Sequence, residues 1–455
     1  MTVRTQTYRD AGYFAARAIL PAQDIVEGVV EVSVIEGNLG QLRINMAEDV
    51  PVSESRVRDM VLGAVVPGKP LQDRSLERAL LLLSDLPGVQ VQSSLEQGEQ
   101  PGTSDLVVEV TAAPRLSGQM NVDNYGFEST GVYRVGAAAR LNSPLRAGDN
   151  LDGRVMWSEG QKFGRVGYGV PVGANGARIG VSWSHLEYVL GPPYSTIGAN
   201  GGASAAGVSI TYPVIRARAR NLMAQVALAQ QDLNDGYSEL GYETRKRVRG
   251  VFPTLVYEHR DALRGGGYVG ASVGIVLGDL DIRTPDAREL DEGSGGRQTQ
   301  GPFVKLNYQL SRLQTVGSAI SLYFAVGGQT ASKNLDSVEK ISIGGPRAVR
   351  AYAQGAFFAD VGLVGTVELR YSTTPWFTVS AFYDIGWGKR DKFPLTGETQ
   401  NEQTLQGPGI GGFLAYLALG NRALVNATVA WRVSDPVAGV VDHVPQVYVQ
   451  GVLYF

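Results

Sequence analysis

Residues 376–387 read Trp-Phe-Thr-Val-Ser-Ala-Phe-Tyr-Asp-Ile-Gly-Trp. The odd positions from Phe377 to Trp387 are all apolar or aromatic, whereas the even ones include Thr378, Ser380 and Asp384. A period of two is that of a β-strand with one face in an apolar medium. The preceding stretch, 362–372, repeats the pattern. Leu363, Val367, Leu369 and Tyr371 alternate with Thr366, Glu368, Arg370 and Ser372. So does 422–434, where Ala423, Val425, Ala427, Val429, Trp431 and Val433 alternate with residues that include Arg422, Asn426, Thr428 and Arg432.

A soluble β-sandwich alternates with its apolar face inward, and a membrane barrel with its apolar face outward. Three features favour the barrel. The segments run to ten residues or more, as a tilted crossing requires. Aromatics cluster at their ends (Tyr371, Trp376, Trp387, Phe455), as interfacial girdles do. Glu368 and Arg370 share one face, which a wet lumen tolerates and a sandwich core does not.

From Pro114 onward the same reading gives sixteen strands, an even number as single-chain barrels have. They are 115–126, 131–142, 149–158, 161–171, 177–190, 204–213, 216–230, 243–258, 263–280, 299–311, 318–329, 361–372, 376–387, 407–420, 422–434 and 446–455. Long loops are expected at 191–203, 281–298, 330–360 and 388–406. The charged run Glu239–Arg249 reads as a solvated strand end or turn. The final segment places Val447, Val449, Gly451, Leu453 and Phe455 on one face. Pairing it with the first strand would leave no free edge in lipid.

Residues 1–113 differ. Leu76, Leu80, Leu83 and Leu86 mark one face of a helix within 71–86, stopped by Pro87-Gly88. A shorter helix is expected from an N-cap at Ser53, burying Val57, Met60 and Val61. Strands are expected at 41–45, 89–95 and 106–110. The order strand, helix, helix, strand, strand fills about 75 residues. Between Ala15 and Gly37, two more strands with a scrap of helix ahead read as the rear of a similar module.

Composition narrows the function. The chain has 455 residues, a formal net charge of -3 and no cysteine, which excludes disulfides, thiolate metal sites and thiol catalysis and gives no basic stripe for nucleic acid. The three histidines, His185, His259 and His443, are far apart in sequence and read as structural or exposed. No metal or cofactor is expected. No apolar run reaches the length of a transmembrane helix, and no phosphate-binding Gly-x-x-x-x-Gly-Lys-Ser/Thr motif occurs. The first residues, MTVRTQTYRDAGYF, lack the apolar core of a secretory signal.

The expected loop 330–360 contains ISIGGPRAVRAYAQGAFFAD at 341–360, with Arg347 and Arg350 among glycines. Its Gly344-Gly345 and Val349-Arg350-Ala351-Tyr352, with Phe382-Tyr-Asp384-Ile-Gly386 two strands on, resemble the signatures of the two-partner secretion transporters. This is the hemolysin secretion/activation, or TpsB, family (ShlB/FhaC/HecB) of POTRA-plus-barrel outer-membrane proteins. The resemblance covers essentially the whole chain. It implies part of a first POTRA domain at 1–38, a second at 39–113, and a barrel at 114–455 whose loop 330–360 folds into the lumen. It implies that Arg350 pairs with Asp384, supported by Gly344, Gly345, Val349, Tyr352, Phe382 and Gly386. Parity independently sets Asp384 on the polar face. Glu368 and Arg370 are expected as wall charges that either hydrate the pore or bind the loop, and Arg347 as a general lumenal charge. Ala351 stands where the family has Gly, which would be strained if the position required positive φ.

The function so implied is secretion, without ATP, of a partner exoprotein of TpsA type, an adhesin or hemolysin, from periplasm to cell surface. The transporter would be monomeric in outer-membrane lipid, with POTRA domains in the periplasm of a Gram-negative bacterium. A barrel-assembly insertase is the alternative. A porin lacks a counterpart of 1–113, and no residue constellation supports an enzyme. The resemblance also implies a signal, a plug helix and half of the first POTRA domain upstream of Met1.

Overall fold

The structure is a computed structural model that describes residues 2–23, 30–395, 397–398, 400–418, 421–441 and 443–455. The chain begins with helix α1 (Thr2–Asp10) and the paired strands β1 (Arg17–Ile19) and β2 (Ser33–Ile35). A three-stranded sheet follows, built from β3 (Asn38–Met46), β4 (Val89–Gln97) and β5 (Thr103–Ala112). Its order is β3-β5-β4, with β3 and β5 parallel. Helices α2 (Glu54–Leu62) and α3 (Asp73–Ser84) cover one face. Ser53 Oγ accepts from the Arg56 N–H, and α2 buries Val57, Met60 and Val61 as its spacing predicts. The buried stripe of α3 is Leu76, Ala79, Leu82 and Leu83, with Leu86 just beyond; Leu80 is only half-buried. The stripe turns because 3.6 residues per turn carries it past a strict i, i+4 row.

The remaining strands are β6 (Leu116–Asp123), β7 (Arg134–Asn142), β8 (Asn150–Trp157), β9 (Gln161–Val172), β10 (Ala177–Val189), β11 (Ala199–Arg216), β12 (Arg220–Tyr237), β13 (Tyr242–Asp261), β14 (Gly267–Ile282), β15 (Gly301–Thr315), β16 (Ile320–Ala331), the two-residue β17 (Ile341–Ser342) and β18 (Phe358–Ala359), then β19 (Val361–Thr374), β20 (Phe377–Lys389), β21 (Glu402–Ala418), β22 (Asn421–Ala430) and β23 (Gln446–Tyr454). All but β17 and β18 form one closed antiparallel barrel of sixteen strands. Each expected segment overlaps one of them. The last two residues of 407–420 lie outside the described residues. Closure runs from Gln450 opposite Asp123 to Tyr454 opposite Gln119, and Gly118 and Phe455 exchange backbone hydrogen bonds of 2.9 and 3.0 Å.

The outward face is the apolar one. Leu363, Val367, Leu369 and Tyr371 on β19, and Val379, Tyr383, Ile385 and Trp387 on β20, are exposed, while Glu368, Phe382 and Asp384 behind them are buried. In water such a surface would aggregate; in a bilayer it is the solvated face.

The expected loops are too long. Residues 199–203, 281–282, 330–331, 388–389 and 402–406 belong to strands. Asn-Gly-Gly and similar runs carry turn signals, but in a barrel wall they are small residues along strands that continue past the lipid. At 20 residues β13 far exceeds the 9–11 needed to cross. Its basic run is therefore paired strand: Arg247 reaches Asp232 on β12 at 2.5 Å and Arg249 reaches Gln230 at 3.0 Å.

The helix-covered sheet stands against the turns at one end of the barrel. Arg216 clamps Asp85 with two hydrogen bonds of 2.7 Å. Arg56 donates to the Pro171 carbonyl, Arg78 to Pro213 and Arg146 to Val50.

Parity sets a sharp test. Val367→Arg, on the lipid face midway between Leu363 and Tyr371, should destabilise the barrel by about 2–4 kcal/mol, whereas lumenal Gln309→Arg, opposite Ser272 and Gly327, should change stability by under about 1 kcal/mol. Denaturant titration of vesicle-refolded protein measures both, and equal costs would refute the assignment of faces.

Candidate functional site

The connection from Ser332 to Asp360 turns back into the barrel. β17 and β18 pair as its stem, and Ile343 N–H donates to Phe357 O at 2.8 Å. A tight turn follows: Ala348 N–H donates to Gly345 O at 3.0 Å, and Val349 N–H to Ile343 O at 3.0 Å. Gly345 has φ +130, a region closed to side chains. Ile343, Val349, Ala351, Tyr352 and Phe357 bury themselves against Phe382, Leu405 and Ala430 of the inner wall.

This turn aims Arg350 at the wall. Its Nε and Nη2 meet Asp384 Oδ2 and Oδ1 at 2.8 and 2.9 Å, a bidentate contact, and its own backbone N–H adds a third bond to Oδ2 at 3.0 Å. Nη1 meets Glu368 at 2.8 Å. The guanidinium lies 3.3 Å above the Phe382 ring, a cation–π contact. The receiving surface is set by register. Thr366 stands opposite Asp384, and Glu368 opposite Phe382, so two successive inward pairs form a four-residue seat. Thr366 donates its hydroxyl to Asp384. Glu368 also pairs with Arg370 at 2.8 Å, and Arg370 lies over Tyr323. Between the two readings left open for these wall charges, Glu368 binds the loop, and Arg370 binds Glu368.

The other motif residues make room or hold. A Cβ on Gly386 would lie 2.6 Å from Ile343 and 2.9 Å from Val349, so glycine there lets the loop lie flat on the wall. Gly344 is boxed in by Ala353 and Ala356. The Tyr352 hydroxyl donates to the Ser434 carbonyl at 3.1 Å, and its own carbonyl accepts from Tyr448 at 2.7 Å. Ala351 is fully buried and does not have positive φ, so the expected strain is absent. Its methyl sits where a Cβ on Gly407 would fall, 2.6 Å away. Arg347 is exposed in the lumen.

Sequence reasoning missed three lysines that make four further ion pairs at the loop's base. Lys340, nearly fully buried, lies 3.1 Å from Asp360 and 2.7 Å from Asp391. Lys305 meets Glu339 at 2.7 Å, and Lys246 meets Asp336 at 2.8 Å. Lumenal parity of Lys246 and Lys305 was the available signal. The rule of polar residues inward also fails locally. Leu233, Val248, Val276, Leu280 and Phe303 face inward yet form an apolar cluster with Leu335 of the loop base. A filled lumen has a core as well as a pore.

The family profile "Haemolysin secretion/activation protein ShlB/FhaC/HecB" matches residues 102–411, and a "POTRA domain, ShlB-type" profile matches 2–37. The chain belongs to the haemolysin secretion/activation family. It is an outer-membrane transporter of the two-partner secretion class, and its helix–strand modules are on the periplasmic side. Among its relatives, the heme/hemopexin transporter protein HuxB of Haemophilus influenzae is 27% identical over 435 residues, covering 94% of this chain and 75% of the relative. The outer membrane transporter CdiB of Escherichia coli is 25% identical over 453 residues, with the same coverages. A solved structure of CdiB from Escherichia coli superposes with TM-score 0.77 at 21% identity, covering 100% of this chain and 83% of that one. BamA from Haemophilus ducreyi shares the fold at TM-score 0.59 and 13% identity, covering 100% of this chain and 93% of that one.

Gly386→Val should lift the loop from its seat while leaving the barrel closed. The expected result is raised single-channel conductance in planar bilayers with unchanged heat-modifiable mobility. Unaltered conductance would show that the fit of loop to wall is not needed to fill the lumen.

Proposed function

We propose that the loop 332–360 is the gate of this transporter and that Arg350 with Asp384 is its lock. The supporting observation is the saturation of one guanidinium. All three nitrogens and the adjacent backbone N–H are engaged by two wall carboxylates and Thr366. Such a contact fixes an irregular segment that has little other regular structure to hold it. The net stabilisation from a desolvated pair is small, but removing one partner strands the other and costs about 3–5 kcal/mol. A lock of that kind is stable when closed and sensitive when broken.

The cargo is a single exoprotein of TpsA type, an adhesin or hemolysin, threaded from periplasm to surface as an extended chain. Folding outside would supply the direction, since no ATP is at hand in the periplasm. Residues 39–113 act as a second POTRA domain and 1–38 as the rear of a first, with exposed sheet edges suited to β-augmentation by the client. The transporter works as a monomer in outer-membrane lipid. No observation favours the insertase reading over this one.

Arg350→Ala and Asp384→Ala should each cut export of the partner at least about tenfold, the effect of 1.4 kcal/mol or more on a productive conformation, while barrel yield in the membrane stays within twofold. Immunoblots of medium and of outer membrane measure the two. Export at the parental level from either variant would eliminate the lock. Loss of porins alongside the exoprotein would point to insertion instead.

A further inference from the structure

The lumen is unevenly charged. The loop tip presses on the β19–β22 side. On the β7–β9 side, Arg140, Arg154 and Arg165 project into open space. Their inward direction follows from register. Arg154 stands opposite Ala138 on β7 and Arg165 on β9, whereas the alternate residues Val135, Val155, Trp157 and Val166 are exposed on the lipid face. Arg140 lies two residues beyond Ala138, nearer the periplasmic mouth. All three are exposed, and none of their side chains forms an ion pair or hydrogen bond with another described residue.

Their neighbours are not left so. Arg134 pairs with Asp123 at 2.8 Å, and Arg178 is held by Asn150 Oδ1 at 2.5 Å. Asp152, the carboxylate opposite Arg140, takes a hydrogen bond from Asn150 and forms no ion pair with a described residue. Like charges directly opposite on adjacent strands are destabilising, and Arg154 faces Arg165 with no carboxylate between them. A barrel wall can carry that cost when an anionic occupant offsets it.

Spacing narrows the occupant. Arg140 and Arg154 are offset by two residues of rise along the wall, about 6.6 Å. Alternate side chains of an extended polypeptide recur at the same interval. Guanidinium groups take carboxylates bidentately, and their reach in physiological salt is about 8 Å.

We propose that Arg140, Arg154 and Arg165 form a lumenal track for client segments that carry Asp or Glu at alternate positions in an extended conformation. The identity of the occupant rests on the secretion reading above; the presence of the track does not.

The chain has no cysteine, so Ala138→Cys places a single thiol beside Arg154. In the folded, detergent-solubilised full chain, an anionic methanethiosulfonate should modify it roughly tenfold faster, relative to the cationic analogue, than it modifies free thiol. Adding Arg154→Gln and Arg165→Gln should remove most of that preference. Extended poly-glutamate should protect the thiol and poly-lysine should not, and the double substitution should abolish the protection. Arg154→Gln alone, checked by heat-modifiable mobility, covers the case in which the double variant does not fold. A reagent preference that survives the substitutions overturns the track, and so does poly-glutamate protection that persists without the arginines. Loss of the lock's effect on export, with protection intact, would overturn the gate and leave the track standing.

Discussion

One arginine meeting one carboxylate on the inside of a cylinder organises this molecule. Asp384 can serve only because β20 shows alternate residues to lipid and lumen, and because β19 sets Thr366 and Glu368 beside it. Arg350 can reach it only because the turn at Gly344-Gly345 folds tightly and Gly386 leaves the wall flat beneath. Barrel, register, turn and glycine fit are each prerequisites for a contact a few ångströms across. The wall in turn exists because lipid leaves no backbone group unpaired, which demands closure through β23 and β6.

Transport follows from how the lumen is filled. The lumen holds a folded segment with its own apolar core, and polar anchoring is confined to a few points. A porin needs only water inside; here Ile343, Val349 and Tyr352 are as buried as residues of a soluble domain. That arrangement suits a passage that must be occluded until a polypeptide arrives.

Much of this was legible in the sequence, and for physical reasons. Period two is a local property, so β19, β20 and β22 could be read residue by residue, and the inward face of Asp384 with them. The spacing in α3 was equally local, although its buried stripe drifted to Ala79 and Leu82. What could not be read depends on contacts distant in sequence. Strand ends were misjudged wherever glycine and asparagine continue above the membrane, as at 199–203. Ala351 looked open to strain because the space that admits its methyl is created by Gly407, 56 positions on. Leu280 and Phe303 can face inward because Leu335, from the loop base, packs against them. Thr366 lies on the readable face, but a period of two does not mark it as the partner of Asp384.

The ionic pairs of Lys340, Lys305 and Lys246 give the inserted segment a second anchorage, remote from its tip. A beam held at one end swings; a beam held at both ends must bow or be released twice. Freeing Arg350 alone therefore slackens the midspan without expelling the segment. The width of the resulting passage is governed by how far the span can bend while its footing among Asp360, Asp391 and Asp336 remains in place.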